Sequence, residues 1–241
     1  MLKRCLSRNR VWTANCRKNH NTAILKYLRE NKAIVGSTLY QGALYEHTVA
    51  RELGEKLAMD SLEICGGSYD AGIDIRGEWP VDKIYNRCRD RLKLDGSSIP
   101  KKMTVSGAQF KPIFHKLNSG REFKPLHVLV QCKAFTSAKI TGKEVRETMG
   151  AFSSAVPASK RNQHILVMSS PNFLTRDGLN VMNGLAVPLL YVRVEMFKSH
   201  QGWYDIEGTG KLQNYYENEY ASNLLQGCGV SHWLKFREYR R

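Results

Sequence analysis

The chain has 241 residues, a formal net charge of +15 and a hydrophobic content of 42%. This is enough apolar material for one domain with one sizeable core, and no apolar run approaches the ~18–20 residues that a membrane-spanning helix needs. The six cysteines include no C-x-x-C pair and no histidine partner at zinc-finger spacing, which argues for reduced thiols and against a structural zinc site. The positive charge favours an anionic partner, such as the phosphate backbone of nucleic acid.

The N-terminal 29 residues carry eight basic side chains and no acidic one. An acid-free, arginine-rich and polar N-terminus is typical of a mitochondrial import presequence, which is removed rather than folded. A nucleic-acid-binding arm and a disordered tail are the alternatives. We therefore expect residues 1–35 to be a disordered targeting leader, and we expect the mature protein to reside in the mitochondrial matrix.

The first predicted helix covers residues 41–58, where Val49, Leu53 and Leu57 repeat at helical spacing. Glu46 lies at the edge of this apolar stripe, which should face the sheet. An acid near the start of a helix is favoured by the helix dipole. Alternatively, the carboxylate is a metal ligand or an orienting group. The residues alone leave both interpretations open.

A short strand at 61–65 is followed by the glycine-rich turn 66–72 and a second strand at 73–76. The glycine spacing fits neither a Walker nor a dinucleotide motif, so it indicates hairpin geometry more than a phosphate cradle. On the second strand, alternation puts the two isoleucines on one face and Asp74 and Arg76 on the other. Asp74 is thus the acidic residue that this region holds on a strand.

Fifty-six residues lie between Asp74 and Gln131, far more than a hairpin needs. The excess forms an insertion over about residues 79–124. The insertion contains a basic run that consists of Lys83, Arg87, Arg89, Arg91 and Lys93. This run is either a solvated helix face or, since the insertion connects two strands of the candidate site, a basic wall over a nucleic-acid groove.

The strand predicted at 126–135 alternates so that Gln131 and Lys133 leave the sheet on the same face. An amide and an ammonium group in an otherwise aliphatic strand carry a desolvation cost, so packing alone does not explain them. Residues 196–241 are rich in aromatic and basic side chains. This C-terminal extension either stacks nucleic-acid bases or packs on the domain and covers an exposed edge of the sheet.

The remaining core elements are a helix with the apolar stripe Val145, Met149, Phe152 and Val156, a strand at 164–169, a helix at 173–185 and a strand at 189–194. Crossovers between such strands are expected to be parallel and right-handed. The order α-β-β-β-α-β-α-β predicts an α/β fold, an α/β/α sandwich around a central mixed sheet.

Asp74, followed on a later strand by Gln131-x-Lys133, resembles the divided active site of the PD-(D/E)xK nuclease superfamily. The glycine-rich entry to Asp74 and the Gln-x-Lys motif are similar to those of Mrr-type restriction endonucleases and archaeal Holliday-junction resolvases. Much of the chain also resembles fungal mitochondrial proteins that are required for respiratory growth and carry such a domain. The resemblance implies a restriction-endonuclease-like domain over residues 38–195.

The resemblance further implies a metal-dependent nuclease that hydrolyses phosphodiester bonds of DNA, with Mg²⁺ or Mn²⁺ as cofactor. The implied metal ligands are Asp74, Gln131, Glu46 and the backbone carbonyl of Cys132. Lys133 would orient or deprotonate the attacking water, or stabilise the charge of the transition state. Gln131 in place of an acid lowers the charge of the ligand set, so metal binding should be weaker unless Glu46 contributes.

Three functions stay open at this point. The first is a nuclease in mitochondrial genome maintenance, with DNA favoured over RNA as its partner. The second is a catalytically inactive, nucleic-acid-binding member of the same fold, acting in maintenance or expression of the mitochondrial genome. The third is a protein scaffold, which predicts no salt-dependent binding of nucleic acid. Because related resolvases and many restriction enzymes are dimers, the resemblance is also compatible with a homodimer.

Overall fold

The computed structural model describes residues 19–65, 72–92, 98–200 and 203–238, without the side chains of 90–92 and 236–238. The helices are α1 (19–30), α2 (Thr38–Leu57), α3 (Val81–Leu92), α4 (Phe114–Leu117), α5 (Gly142–Ala155), α6 (Arg176–Asn183), α7 (Glu219–Leu224) and α8 (Val230–Glu238). The strands are β1 (Asp60–Ile64), β2 (Ile75–Trp79), β3 (Met103–Val105), β4 (Ala108–Phe110), β5 (Leu126–Cys132), β6 (His164–Ser170), β7 (Leu189–Val194), β8 (Ser199–His200), β9 (Trp203–Tyr204) and β10 (Leu212–Glu217).

Six strands form one central sheet in the order β1-β2-β5-β6-β7-β10. β5, β6 and β7 are parallel to one another, whereas β1, β2 and β10 join the sheet by antiparallel pairs. The predicted α/β fold around a central mixed sheet is therefore confirmed. Among the described residues, no helix is both long enough and apolar enough to cross a membrane.

Helices cover both faces of the sheet because its strands are apolar on both sides. On β5, Val128 and Val130 pack into a core cluster with α2, α7 and α8, while Leu129 packs into a second cluster with α5 and α6. Val128 and Val130 are fully buried, and Leu129 is nearly so. Strands buried on both faces are expected wherever crossover helices flank a parallel sheet. We call these two sides the α2 face and the α5 face.

The N-terminal segment differs from the expected disordered leader over residues 19–35. Residues 19–30 form helix α1, and Ile24 is buried against Tyr40, Leu44 and Phe197. Ile24, near the centre of this basic helix, anchors α1 to the domain. The prediction of a disordered leader was based on charge and did not take this apolar residue into account. Residues 1–18 lie outside the described part of the chain.

The docking of α1 is expected to weaken as the pH falls below about 6.5. Burial, and secondarily Arg51, lowers the pKa of His20 on α1, while burial and then His20 lower the pKa of His47 on α2. Since the folded pKa values lie below the unfolded ones, this contribution to stability is present above the unfolded pKa and is lost as protonation sets in. Amide hydrogen exchange at 19–30 should therefore rise, relative to intrinsic rates, between about pH 7.5 and about pH 5.5.

A double variant, His20→Gln with His47→Gln, should remove this pH dependence. Equal protection of residues 19–30 at both pH values in the unaltered chain would contradict the assignment to these two imidazoles.

A buried ion pair on α2 ties the C-terminal extension to the domain. The side chains of Arg51 and Glu52 are fully buried and lie 3.1 Å apart. The Arg51 guanidinium donates to the backbone carbonyls of residues 206, 209 and 210. Glu52 accepts the backbone N–H of Leu212 at 2.9 Å, at the start of β10. Charged groups are tolerated inside a protein only when they are paired and hydrogen-bonded in this way.

The C-terminal extension covers one edge of the sheet. β10 pairs antiparallel with β7, and Tyr220 of α7 stacks on Phe110 of the insertion with ring centroids 4.1 Å apart. Trp233 of α8 is 7% exposed and donates its indole N–H to the carbonyl of Lys56. Of the two alternatives for these aromatic residues, the structure thus places Tyr220 and Trp233 in packing contacts.

The insertion leaves and rejoins the sheet far from Asp74, at the other end of the two strands that it connects. β2 and β5 pair antiparallel from Ile75 opposite Val130 to Trp79 opposite Leu126. The insertion begins after Trp79 and ends before Leu126, so both its ends lie at the other edge, about 13 Å along the strand. β2 and β5 are antiparallel, so the last residue of β2 and the first residue of β5 lie at the same end of the pair. The insertion connects these two residues, whereas Asp74 and Lys133 lie at the opposite end.

Candidate active site at the carboxyl edge of the sheet

The carboxyl ends of β5, β6 and β7 lie side by side at one end of the strands. We call this end of the sheet the site edge. Lys133 follows β5 directly, Ser170 ends β6, and Arg193 is the second-last residue of β7. Because β2 runs antiparallel to β5, its first residue Ile75 and the preceding Asp74 lie at the same edge. This edge is where open α/β sheets place their functional groups.

Asp74 lies just before β2 rather than on the strand predicted for it. Gly72, with a φ of 78°, turns the chain immediately upstream. Ile73 packs on the α5 face and Ile75 on the α2 face, so the predicted shared face of the two isoleucines is wrong. Strict alternation holds only within a regular strand, and the glycine turn shifts the start of that strand to Ile75.

The Asp74 carboxylate is held against the end of β5. Its Oδ2 accepts the backbone N–H of Cys132 at 2.5 Å. The backbone N–H of Asp74 donates to the carbonyl of Val130 at 2.8 Å, and its carbonyl accepts the N–H of Cys65 at 2.8 Å. The position of this carboxylate is therefore fixed by two neighbouring strands, and the bond to Cys132 is of the strong, charge-assisted kind.

Glu46 approaches the same strand end from the α2 face. Cys132 is half-buried there, and the pKa of its thiol is raised well above the usual value, first by burial and then by the carboxylates of Asp74 and Glu46. Two carboxylates that both destabilise one thiolate lie close to it. The charges of Asp74 and Glu46 therefore both reach the Cys132 thiol.

Gln131 points to the other side of β5, toward α5. Its side chain is 8% exposed, and its amide oxygen accepts a hydrogen bond from the hydroxyl of Thr148. Its amide nitrogen passes Gly72 so closely that a Cβ at that position would lie 3.3 Å away. Gln131 and Glu46 thus lie on opposite faces of β5, which differs from the single groove expected for them.

Lys133 shares the α5 face with Gln131 and pairs with Glu147 of α5, with 3.5 Å between Nζ and Oε2. Its backbone N–H donates to the carbonyl of Ser169 at 2.8 Å, which continues the β5–β6 pairing. The sequence analysis missed Glu147 and Thr148. The available signal was Thr148 itself, a polar residue within the apolar stripe of α5, where a buried hydroxyl needs a partner.

The start of α5 sets where Glu147 and Thr148 fall. Thr141 and Glu144 form a capping box, and the bond from the Thr141 hydroxyl lowers the pKa of the Glu144 carboxyl. The next backbone N–H, from Gly142, donates to the Asp177 carboxylate of α6 at 3.0 Å. These contacts fix the first turn, so the second turn of α5 lies beside Gln131 and Lys133.

Two residues of the predicted basic run, Lys83 and Arg87, have contacts away from this edge. Lys83 pairs with Asp60 at 3.2 Å, and Arg87 lies over the ring of Trp233 at 5.4 Å from its centroid. Arg89 is exposed on α3. The side chain of Arg91, and Lys93 as a whole, lie outside the described residues, so their assignment to nucleic-acid binding stays a prediction.

The oxygen donors at Asp74 suit a hard cation. Within the described ranges, no three side chains of the His, Cys, Asp or Glu type gather as a metal-binding group. Carboxylate and backbone carbonyl oxygens are nevertheless the donor types that Mg²⁺ takes, and it commonly uses only one or two carboxylates from the protein and keeps several waters. The ligand roles of Asp74, Glu46 and the Cys132 carbonyl therefore stay predictions.

Comparison with known proteins places the chain in a family. Residues 37–225 match the family described as Required for respiratory growth protein 7. The mitochondrial protein of that name from Lachancea thermotolerans is 68% identical over 221 residues, which are 92% of this chain and 86% of the relative. Those of Zygosaccharomyces rouxii and Saccharomyces cerevisiae strain S288c are 47% and 46% identical, over 93% and 92% of both chains.

No solved structure matches the chain. The family assignment rests on the sequence comparisons. The names of the relatives confirm the predicted mitochondrial location. The chain belongs to the Required for respiratory growth protein 7 family, as a mitochondrial protein required for respiratory growth.

Proposed function

We propose that the chain is a metal-dependent phosphodiesterase with a restriction-endonuclease-like fold, and that it acts on DNA in the mitochondrial matrix. The observation that carries this proposal is the Asp74 carboxylate, fixed on the N–H of Cys132 at the site edge, with Lys133 as the next residue of the same strand end. Respiratory growth would then depend on the chain through maintenance of the mitochondrial genome.

Asp74, Glu46 and the carbonyl of Cys132 would hold the metal. When bound, Mg²⁺ or Mn²⁺ supplies charge neutralisation for the phosphoryl oxygens and activates water. Gln131 contributes less than the resemblance implies, because its amide oxygen already accepts the Thr148 hydroxyl. The shortfall in ligand charge makes Glu46 the important second carboxylate.

Lys133 lies on the face of β5 opposite to Glu46, so it would stabilise negative charge on the phosphoryl group by reaching past the end of the strand. Its side chain is 19% exposed, and Glu147 holds the ammonium on the α5 face at 3.5 Å. A partly desolvated and preoriented cation interacts more strongly with developing charge than a solvated one does. Glu147 is exposed enough to swing away when phosphate arrives, which would transfer the ammonium from one anion to the other.

A second candidate is a nucleic-acid-binding protein of the same fold without catalysis. The observation that favours it is that both residues of the Gln-x-Lys motif have internal partners, Thr148 for Gln131 and Glu147 for Lys133. In that case these residues stabilise the sheet edge, and the basic surface of the chain binds the phosphate backbone.

The deciding experiment is cleavage by the purified chain of duplex, single-stranded and branched DNA and of RNA, with Mg²⁺, Mn²⁺, Ca²⁺ or a chelator. We expect cleavage of a DNA substrate with Mg²⁺ or Mn²⁺ and none with the chelator. Salt-sensitive binding without cleavage under every condition would overturn the nuclease and favour the binding protein. Absence of salt-sensitive binding as well would leave only a protein scaffold.

A further inference from the structure

An exposed aromatic ring and an arginine stack on each other at the site edge. Phe173 follows β6 and is 55% exposed, and the Arg193 guanidinium lies 4.0 Å from the centroid of its ring. A large apolar side chain left this open gains little from burial. The packing of the domain therefore does not account for a phenylalanine at this position.

The charge of Arg193 is not compensated within the described part of the chain. Its Nε is buried without a hydrogen-bond partner, and the ion pairs found there do not include it. A half-buried guanidinium without a carboxylate is unfavourable in the free protein. An incoming phosphate would satisfy it, and the planar fork of arginine suits that geometry.

Arg193 lies in the same row of the sheet as Lys133 and on the same face. Ser170 pairs with Arg193 across β6 and β7, while the N–H of Lys133 bonds to Ser169, one residue earlier on β6. Tyr191, two residues before Arg193, packs on the α5 face, which Lys133 shares. Two strand spacings separate the backbones of Lys133 and Arg193, about 10 Å, so one nucleic-acid strand can contact both.

The segment that presents Phe173 is fixed in place. The amide of Asn172 donates to the carbonyls of Phe135 at 2.7 Å and Ala138 at 2.9 Å. The carbonyl of Phe173 accepts the N–H of Ile140 at 3.0 Å. The ring is thus preorganised, and a ligand that stacks on it would lose little free energy in ordering the loop.

We propose that Phe173 and Arg193 form a subsite for one unpaired nucleotide, whose base stacks on the open face of the ring and whose phosphate pairs with the guanidinium. The subsite rests on the proposed nucleic-acid function and specifies its substrate class: DNA with a single-stranded segment, flap or branch beside the phosphodiester at Asp74. A base inside a duplex is already stacked on both faces and does not fit.

The test is binding of fluorescent single-stranded, branched and fully paired DNA to the full chain, with Ca²⁺ in place of Mg²⁺. Phe173→Ala should weaken binding of the single-stranded and branched DNA by about 10-fold and change duplex binding by less than about twofold. Phe173→Trp should restore affinity, and its emission should be quenched by the stacked base. Arg193→Met should weaken binding and lower the salt slope by about one.

Two variants serve as matched controls. Trp203→Ala removes another exposed ring, on the β8–β9 hairpin, and Arg161→Met removes another arginine with a buried, unpartnered Nε, before β6. Both should bind like the unaltered chain. Unchanged single-strand binding by Phe173→Ala, or an equal loss with Trp203→Ala, would overturn the subsite. A chain that fails to cleave but binds unpaired DNA through Phe173 would refute the nuclease and retain the subsite.

Discussion

Replacing Asp74 by asparagine is expected to lower metal-dependent cleavage by about 10³-fold and to change nucleic-acid binding by less than about threefold. The amide oxygen of asparagine can still accept the N–H of Cys132, so the end of β5 keeps its structure. What is lost is the negative charge that would hold the metal. Single-turnover cleavage at saturating enzyme, with binding measured separately in Ca²⁺, separates the two effects.

Asp177 offers a matched control at the same edge. Its carboxylate also accepts a backbone N–H, that of Gly142 at 3.0 Å, but it lies on α6 and outside the proposed ligand set. Asp177→Asn should cleave at the rate of the unaltered chain. Full activity of Asp74→Asn, or an equal loss in both variants, would refute the role assigned to Asp74.

Replacing Arg51 by methionine is expected to reduce the free energy of unfolding by about 3–5 kcal/mol. The change leaves the Glu52 carboxylate buried without its counter-charge and removes the donors to the carbonyls of residues 206, 209 and 210. Removal of one partner of a buried pair costs more than removal of both, because a lone charge stays in the interior. Denaturant unfolding monitored by circular dichroism measures the loss.

The double variant Arg51→Met with Glu52→Gln should recover part of this stability, since no unpaired charge remains. Arg146→Met on the exposed face of α5 is the surface control and should fall within about 0.5 kcal/mol of the unaltered chain. A loss for Arg51→Met no larger than that of Arg146→Met would show that the pair contributes nothing net.

Periodicity was sufficient to predict the core of this fold. The alternation along β5 put Gln131 and Lys133 on the same face correctly, and the strand 189–194 has the predicted bounds. It failed where a special backbone angle intervenes: Gly72 takes a positive φ, and the alternation of Ile73 and Ile75 breaks. Periodicity therefore predicts which segments form strands, but the position where β2 begins depends on the backbone angle of Gly72.

The candidate site was only partly predictable, because the side-chain partners of Gln131 and Lys133 come from helix α5. The sequence pointed to Asp74 and Lys133, but Thr148 and Glu147 became visible only when α5 was laid on the sheet. The separation of Gln131 from Glu46 has the same origin. Alternation along β5 shows which of its residues share a face, but it does not show which helix packs on that face.

The insertion starts at the end of β2 that lies far from Asp74. The sequence at that end of the strands can therefore vary more than the sequence around Asp74. The ends of the insertion are separated from Asp74 and Lys133 by about 13 Å of paired strand. Evolution can therefore remodel the insertion for new partners while the arrangement around Asp74 and Lys133 stays constant.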